Sequence, residues 1–442
     1  MDAAWLFDPV SPRPVSDPNR ANGSHDHTHS QGISAFCLRF DKPLSWEIFV
    51  RAVGKLTNSH GESILRIKGL LNVDKRPVAV HGVQHFLHPA EPLEAWPDKE
   101  RRSRAVCTSP KTKSFMTLVI PSAPLSLDIA EYLDIALPRH VRRHVDISVA
   151  DRAWRPQIED RQSDWVASVA APALKLLRSR RGDAACKAFC ALGTGAGLDA
   201  LAGIELLGAD VVGITDLFPD VVDAAANNVR RNLLAGNSVT LHAGAGDLLE
   251  PLRASGVAFD LIYENLPNLP LADAAKVEVD KTSAAFLAPR SEPMPQVVRD
   301  SLLALHYVAL VQAHDFLKPG GAVLSTIGAR LPLAVLTEMA EAAGHKPSFL
   351  GYWWKAQADA DDVIGSYTQW QRQGMGPFHF YPIKILEAAF ARLDLEEAGR
   401  NALSIEASLR SYQLDAASAW SLHGKGRRIG HTVAALLSEP KR

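Results

Sequence analysis

The chain is poor in cysteine, in long apolar runs and in net charge. Its four cysteines, Cys37, Cys107, Cys186 and Cys190, are scattered over 442 residues and form no Cys-x-x-Cys pair. That argues against a disulfide framework and a structural zinc site, and a reducing interior is the simpler setting. No uncharged apolar stretch approaches the ~20 residues that span a bilayer. The start, Met1-Asp2-Ala3-Ala4-Trp5, lacks the basic and apolar segments of a signal peptide, so a soluble, cytoplasmic protein without a membrane partner is expected. The net charge of −1 supplies no global field for nucleic acid or a membrane surface, although local basic patches stay open. What is present is a globular composition, 47% hydrophobic and 22% charged, in a chain long enough for two to four domains of ~100–200 residues.

Residues 1–33 read as a flexible arm. Pro, Ser, Asn, Asp, Gly and His dominate residues 8–32, which lack the apolar side chains needed to offset chain entropy. The cluster His25-Asp26-His27-Thr28-His29 is either part of a solvated linker or a zinc or nickel site. Order is expected from Ile33 onward, with a strand at Ala35–Phe40. A helix opening at Pro43 follows, with Trp46, Phe49, Val53 and Leu56 on one face. Strands are expected at Ile64–Val73 and Pro77–Leu87. Together these make a small α+β domain over 34–107.

Its motifs resemble a known family. Arg66-Ile67-Lys68-Gly69-Leu70-Leu71, His81-Gly82-Val83-Gln84-His85, Ala95-Trp96-Pro97 and Arg101-Arg102-Ser103-Arg104 are similar to the C-terminal domain of the CobW metal-chaperone GTPases. The chain contains no Gly-x-x-x-x-Gly-Lys-Ser/Thr phosphate loop, so nucleotide hydrolysis does not carry over. The resemblance implies a detached accessory domain for metal sensing or protein contact, or an inherited structural unit that binds nothing. Residues 108–179 read as a helical extension or lid, with helices at Leu125–Leu137 and Trp165–Leu177.

The most specific constellation begins at Lys187. An apolar strand, Ala188–Leu192, runs into Gly193-Thr194-Gly195-Ala196-Gly197, and a helix starts at Leu198. Glycines at such a bend allow a tight turn and a ligand against bare backbone, while the helix N-terminus favours an anionic ligand end. A second strand, Val211–Asp216, ends in an acid placed to reach ribose hydroxyls. Further strands are expected at Val239–His242, followed by Asp247, and at Phe259–Glu264, followed by Asn265-Leu266-Pro267-Asn268. Helix Val297–Phe316 then leads to the turn Lys318-Pro319-Gly320-Gly321 and a fifth strand.

In this order the segments resemble class I S-adenosylmethionine-dependent methyltransferases over residues 180–385. The resemblance implies an α/β fold with a Rossmann-like seven-stranded sheet in a domain spanning 180–390, with S-adenosyl-L-methionine as cofactor. Gly193, Thr194, Gly195, Gly197, Asp216 and Asp247 would bind it, Asp247 against the adenine amino group. Asn265-Leu266-Pro267-Asn268 is similar to the Asn-Pro-Pro-Tyr motif of amino-methylating relatives. Asn265 and the Pro267 carbonyl would then orient the acceptor for in-line displacement, and Glu264 would take a proton or face solvent. No metal ligand is assigned.

Two departures stand out. Leu266 and Asn268 replace a proline and an aromatic, which tilts the acceptor away from a planar amide or nucleobase toward a small molecule or a protein. Ala191 stands where relatives carry an acid, a role Asp199 could assume. Lys281, Thr282 and Arg290, in the long segment 269–295, are candidate substrate contacts. A closing hairpin is expected from Phe349–Lys355 and Pro377–Ile383. A helical tail is expected over 391–442, with Lys425, Arg427 and Arg428 as a basic patch or solvated charges. The competing functions are a nicotinamide-dependent oxidoreductase and a non-catalytic sensor of the cofactor or a metal.

Overall fold

The computed structural model describes residues 33–40, 66–73, 76–83, 86–87, 90–97, 101–110, 125–182, 186–270 and 292–441. The histidine cluster at 25–29, the helix expected from Pro43, and Lys281, Thr282 and Arg290 lie outside these residues. The chain divides into two compact units, Met1–Pro121 and Ser122–Arg442. Among the described residues no helix is long and apolar enough to cross a membrane.

The first unit is an antiparallel sheet of β1 (Ile33–Phe40), β2 (Arg66–Val73), β3 (Arg76–Val83), β4 (Phe86–Leu87), β5 (Glu91–Pro92) and β6 (Ser103–Pro110). Its order is β1-β6-β2-β3-β4, with β5 also on β3. Leu71, Val78, Val80 and Ala105 are buried on one face of it, and Leu70 is buried on the other. Gly69 lets β2 and β6 close up, since a Cβ there would stand 2.9 Å from that of Ala105.

The second unit opens with a hairpin, β7 (Leu125–Asp128) and β8 (His144–Ile147). The helix expected over Leu125–Leu137 is thus largely replaced. Asp128 caps a helix that begins only at Ile129, accepting from the amides of Ala130 and Glu131 at 2.9 and 3.2 Å. Asp134, in the left-handed region at φ 53°, then ends it. Trp165 onward is helical as expected, a π turn (Val166–Ala170) running into helix Ala171–Arg181. Ile129, Leu133, Val145 and Leu174 share an apolar cluster with Phe189 and Ile214. Residues 125–181 are therefore part of the same core and not a separate lid.

The main sheet contains β9 (Ala188–Leu192), β10 (Val211–Asp216), β11 (Thr240–Ala245), β12 (Phe259–Glu264), β13 (Leu317–Ala329), β14 (His345–Ala356), β15 (Tyr381–Pro382) and β16 (Ile429–Pro440). Its order is β11-β10-β9-β12-β13-β16-β14, with the two-residue β15 added on β16. The first five of that order are parallel, and β16 is antiparallel to both neighbours. β9 is buried at every position, as a central parallel strand covered on both faces must be. The carboxyl ends of β9, β10, β12, β13 and β14 and the start of β16 consequently share one edge, where open α/β sheets bind ligands.

Three expectations need correction. The tail is not helical to its end: after helices at Leu395–Arg400, Ala402–Leu409 and Ala416–Gly424, β16 runs through the sheet with ten successive buried residues. A strand buried on both faces loses the alternation that would identify it. The segments expected as a closing hairpin, Phe349–Lys355 and Pro377–Ile383, pair instead with β16. Helix Val297–Phe316 is broken into Gln296–Asp300 and Ala304–Ala313, with Leu302 at φ 63° between them. The break delivers the Leu302 carbonyl to the Leu269 amide at 3.1 Å, tethering the chain just beyond the Asn265 loop.

Candidate functional site

The glycine turn after β9 is built for close approach. Gly193, Gly195 and Gly197 have φ of 68°, 51° and 82°, which L side chains rarely adopt. Nothing lies within 4 Å of a Cβ placed on Gly195, so its face opens on free space. At Gly197 the same atom would meet Ala225 backbone at 3.1 and 3.2 Å; this glycine packs helix Pro219–Asn232 and does not line the cavity. Thr194 donates its amide to the Thr215 carbonyl at 2.9 Å. Asp216, 4% exposed, accepts from the Gly195 amide at 3.0 Å and from the Leu217 amide at 2.8 Å. The acid at the end of β10 thus fixes the turn after β9.

The loop after β12 is held from beneath. Glu264 is fully buried and both its oxygens lie 2.9 Å from His306 Nδ1. One of them also accepts from the Leu266 amide at 3.0 Å. His306 Nε2 is 3.0 Å from Asn268 Oδ1. The direct proton-taking role expected for Glu264 is corrected by this geometry: its carboxylate is engaged below the loop, while Asn265 and Pro267 face the cavity. His306 was not foreseen, because its spacing from Glu264 depends on the helix break at Leu302.

A cavity of about 340 Å³ joins these parts. Gly193, Thr194, Gly195, Asp216, Asp247, Asn265 and Pro267 line it together; Gly197 and Glu264 do not. Asp247 accepts from Gln312 Nε2 at 3.1 Å, and Gln312 Oε1 accepts from the Leu249 amide at 2.9 Å. Segment 154–166 closes one side. It is pinned by Asp164, which accepts from the Tyr132 hydroxyl at 2.7 Å and from the Gln157 and Ala167 amides, both at 2.9 Å.

The cavity wall carries strongly perturbed charges. Burial, and then the nearby Asp164, push the Asp199 carboxyl up to about 7. Its Oδ1 has no partner although it is buried. Burial brings the Lys355 ammonium down to about 8, and its Nζ donates to the Ser163 carbonyl. Arg330 and His431 complete that end. The chemistry of the donor set fits a zwitterionic nucleoside ligand: hydroxyl acceptors at Asp216, open amides at the start of helix Leu198–Leu207, and an orphan carboxylate oxygen for an ammonium at Asp199. Of these, Lys355, Arg330 and His431 were missed in sequence. Their only signal was a cation closing an apolar run at Arg330 and Lys355, and a histidine opening one at His431.

Comparison with known proteins gives two kinds of match. Residues 33–109 match the family model of the cobalamin synthesis protein cobW C-terminal domain. A crystal structure of Zn(II)-bound YjiA GTPase from E. coli is 25% identical over 18% of this chain, with a TM-score of 0.17. The match spans only 25% of that GTPase. A T. thermophilus 16S rRNA methyltransferase in complex with AdoMet and guanosine is 15% identical, covering 57% of this chain and 53% of its own, at a TM-score of 0.30. A methyltransferase from Pyrococcus furiosus is 17% identical, covering 40% of this chain and 75% of its own, at a TM-score of 0.26. No curated protein matches the chain.

Proposed function

We propose that the unit Ser122–Arg442 is an S-adenosylmethionine-dependent methyltransferase acting on a small-molecule or protein acceptor. One observation carries this reading: the strand order sets the Gly193–Gly195 turn, Asp216, Asp247 and Asn265 around one cavity at the carboxyl edge of the sheet. S-adenosylmethionine, when bound, supplies a methyl group activated by its sulfonium. Asp216 would hold its ribose hydroxyls, Asp247 its adenine amino group, the glycine turn its carboxylate and Asp199 its ammonium. The Asn265 amide and the Pro267 carbonyl orient the acceptor, and the Glu264–His306 contact keeps that loop rigid. Segment 154–166 keeps water from the reacting groups. The antiparallel β16 between β13 and β14 favours this reading over a nicotinamide oxidoreductase, whose six-stranded dinucleotide sheet is parallel throughout. Turnover separates an enzyme from a sensor.

Asp216→Ala is expected to weaken binding of S-adenosylhomocysteine by roughly 1.5–3 kcal/mol, the value of lost charge-assisted hydrogen bonds. Calorimetry on the full chain tests it, and wild-type affinity would place the cofactor elsewhere.

Asp199 gives the site a pH signature. Its carboxyl titrates at about 7 in the ligand-free chain, against ~3.9 for an exposed aspartate. The native state therefore keeps this proton longer than the unfolded state, and stability falls as pH rises from about 4 to 7. An ammonium ligand needs the charged carboxylate, so binding near pH 6 expels a proton. Affinity for S-adenosylhomocysteine should rise by up to about tenfold per unit from pH 5.5 to 6.5 and level off above 7. Calorimetry in buffers of different ionisation heat counts the proton. The same slope in Asp199→Asn would detach Asp199 from the ligand.

A further inference from the structure

We propose that the methyl acceptor is a small anionic molecule whose carboxylate or phosphate group is held by Arg330 and Lys355. The inference rests on the methyl-transfer reading and names its substrate class. Arg330 follows β13, Lys355 stands near the end of β14, and His431 lies near the start of β16. In the sheet they sit beyond β12, on the side away from the glycine turn of β9 and the acid of β10. At ~4.8 Å per strand, β13 is about 10 Å from β9. Asn265 therefore separates a cofactor half from a cationic half of one cavity.

Both cations are buried, and among the described residues no carboxylate forms an ion pair with either. Arg330 is 9% exposed and Lys355 is 4% exposed. Arg330 Nε and Nη2 donate to Gln357 Oε1 at 3.0 and 2.7 Å, and Nη2 also donates to His431 Nε2 at 2.8 Å. His431 Nδ1 donates to the Thr432 carbonyl at 2.8 Å, which leaves Nε2 as a bare acceptor. Burial and the adjacent Arg330 hold this imidazole well below its ordinary range, so it remains neutral. The guanidinium further lies over the Tyr367 ring, 5.3 Å from its centroid. All these partners are neutral. Lys355 donates to a carbonyl; Asp164, Asp160 and Asp359 act on it only through space, and Asp164, which has the largest pull, is spent on Tyr132, Gln157 and Ala167. Among the described residues neither cation has an ion-pair partner.

Buried charges are ordinarily paired, because desolvation otherwise opposes folding. Two such cations side by side on a cavity wall are explained when a ligand brings the countercharge. Their burial also sets its size: a polymer backbone would not reach them, whereas the oxyanion of a compact acceptor would. Arg330 supplies fixed donors suited to a planar or tetrahedral oxyanion, and Lys355 supplies a point charge.

The test uses the full chain with benzoate and inorganic phosphate as probes, with and without saturating S-adenosylhomocysteine, read by calorimetry and melting temperature. One of the two anions is expected to bind saturably to the wild type and to raise its melting temperature; which one binds separates a carboxylate acceptor from a phosphate acceptor. Arg330→Gln and Lys355→Met should each weaken that binding at least tenfold, with S-adenosylhomocysteine affinity within threefold of wild type. Because Arg330 also supports Gln357 and His431, Lys355→Met is the decisive arm: it removes charge with little change of length and should raise the melting temperature of the ligand-free protein. Saturable binding of neither anion, or unchanged anion affinity in Lys355→Met, overturns the proposal. Anion binding without S-adenosylhomocysteine binding would refute the methyl-transfer reading instead.

Discussion

Replacing Asn265 by alanine is expected to cut methyl transfer by ~10²-fold or more, roughly 2.7 kcal/mol, while leaving S-adenosylhomocysteine affinity within about threefold. Asn265 lines the same cavity as the glycine turn and the cationic end, and in the proposed reaction its amide would meet the acceptor rather than the nucleoside. A group that aligns the acceptor with the methyl carbon acts chiefly in the transition state, and its loss lowers turnover more than binding. The readout is formation of S-adenosylhomocysteine with a metabolite pool, followed by mass spectrometry of methylated products. Slow solvent hydrolysis or self-methylation supplies the background. Turnover untouched by Asn265→Ala would move the acceptor site elsewhere and leave the cofactor assignment standing.

Glu264→Ala should produce the largest loss of stability, about 3 kcal/mol or more. The substitution strands His306 Nδ1 and the Leu266 amide, both now served by a fully buried carboxylate. Breaking a buried pair by removing one partner typically costs ~3–5 kcal/mol. Urea unfolding would register it as a lower midpoint. Combining the substitution with His306→Ala should recover part of the loss, since the stranded ring is then gone. A change below 1 kcal/mol in Glu264→Ala would mean that water reaches the ring and that the loop is not anchored there.

Much of this architecture was legible because local chemistry and global position agree. Gly193, Gly195 and Asp216 each carry a local signature, a positive φ or an acid closing an apolar strand, and the fold places them where that signature implies. Gly197 was identified for the right turn, but its constraint is the approach of Ala225 rather than a ligand. Glu264 was legible as an acid at a strand end, yet its partner lies 42 residues away, on a helix whose interruption at Leu302 nothing in the local pattern announces. Asp128 moved a helix start by its side-chain cap, a choice that periodicity alone does not resolve. The cationic end was invisible for a similar reason. Arg330 follows β13, and Lys355 and His431 belong to β14 and β16; the three meet only through β16, itself disguised by burial on both faces.

The position of β16 has a consequence for how the unit is made. Among the described residues it follows every other strand in sequence but is an interior strand in space, filling the gap between β13 and β14. Thr432, near its start, bonds to the Ala329 carbonyl from 103 residues further along the chain. During vectorial synthesis the preceding strands can associate in order, but two flanks with unsatisfied amides and carbonyls stay open until residues 429–440 leave the ribosome. Arg330 and His431 also remain apart until then. The nascent chain therefore brings the Gly193–Gly195 turn and Asp216 together first, and the opposite wall is finished only by β16.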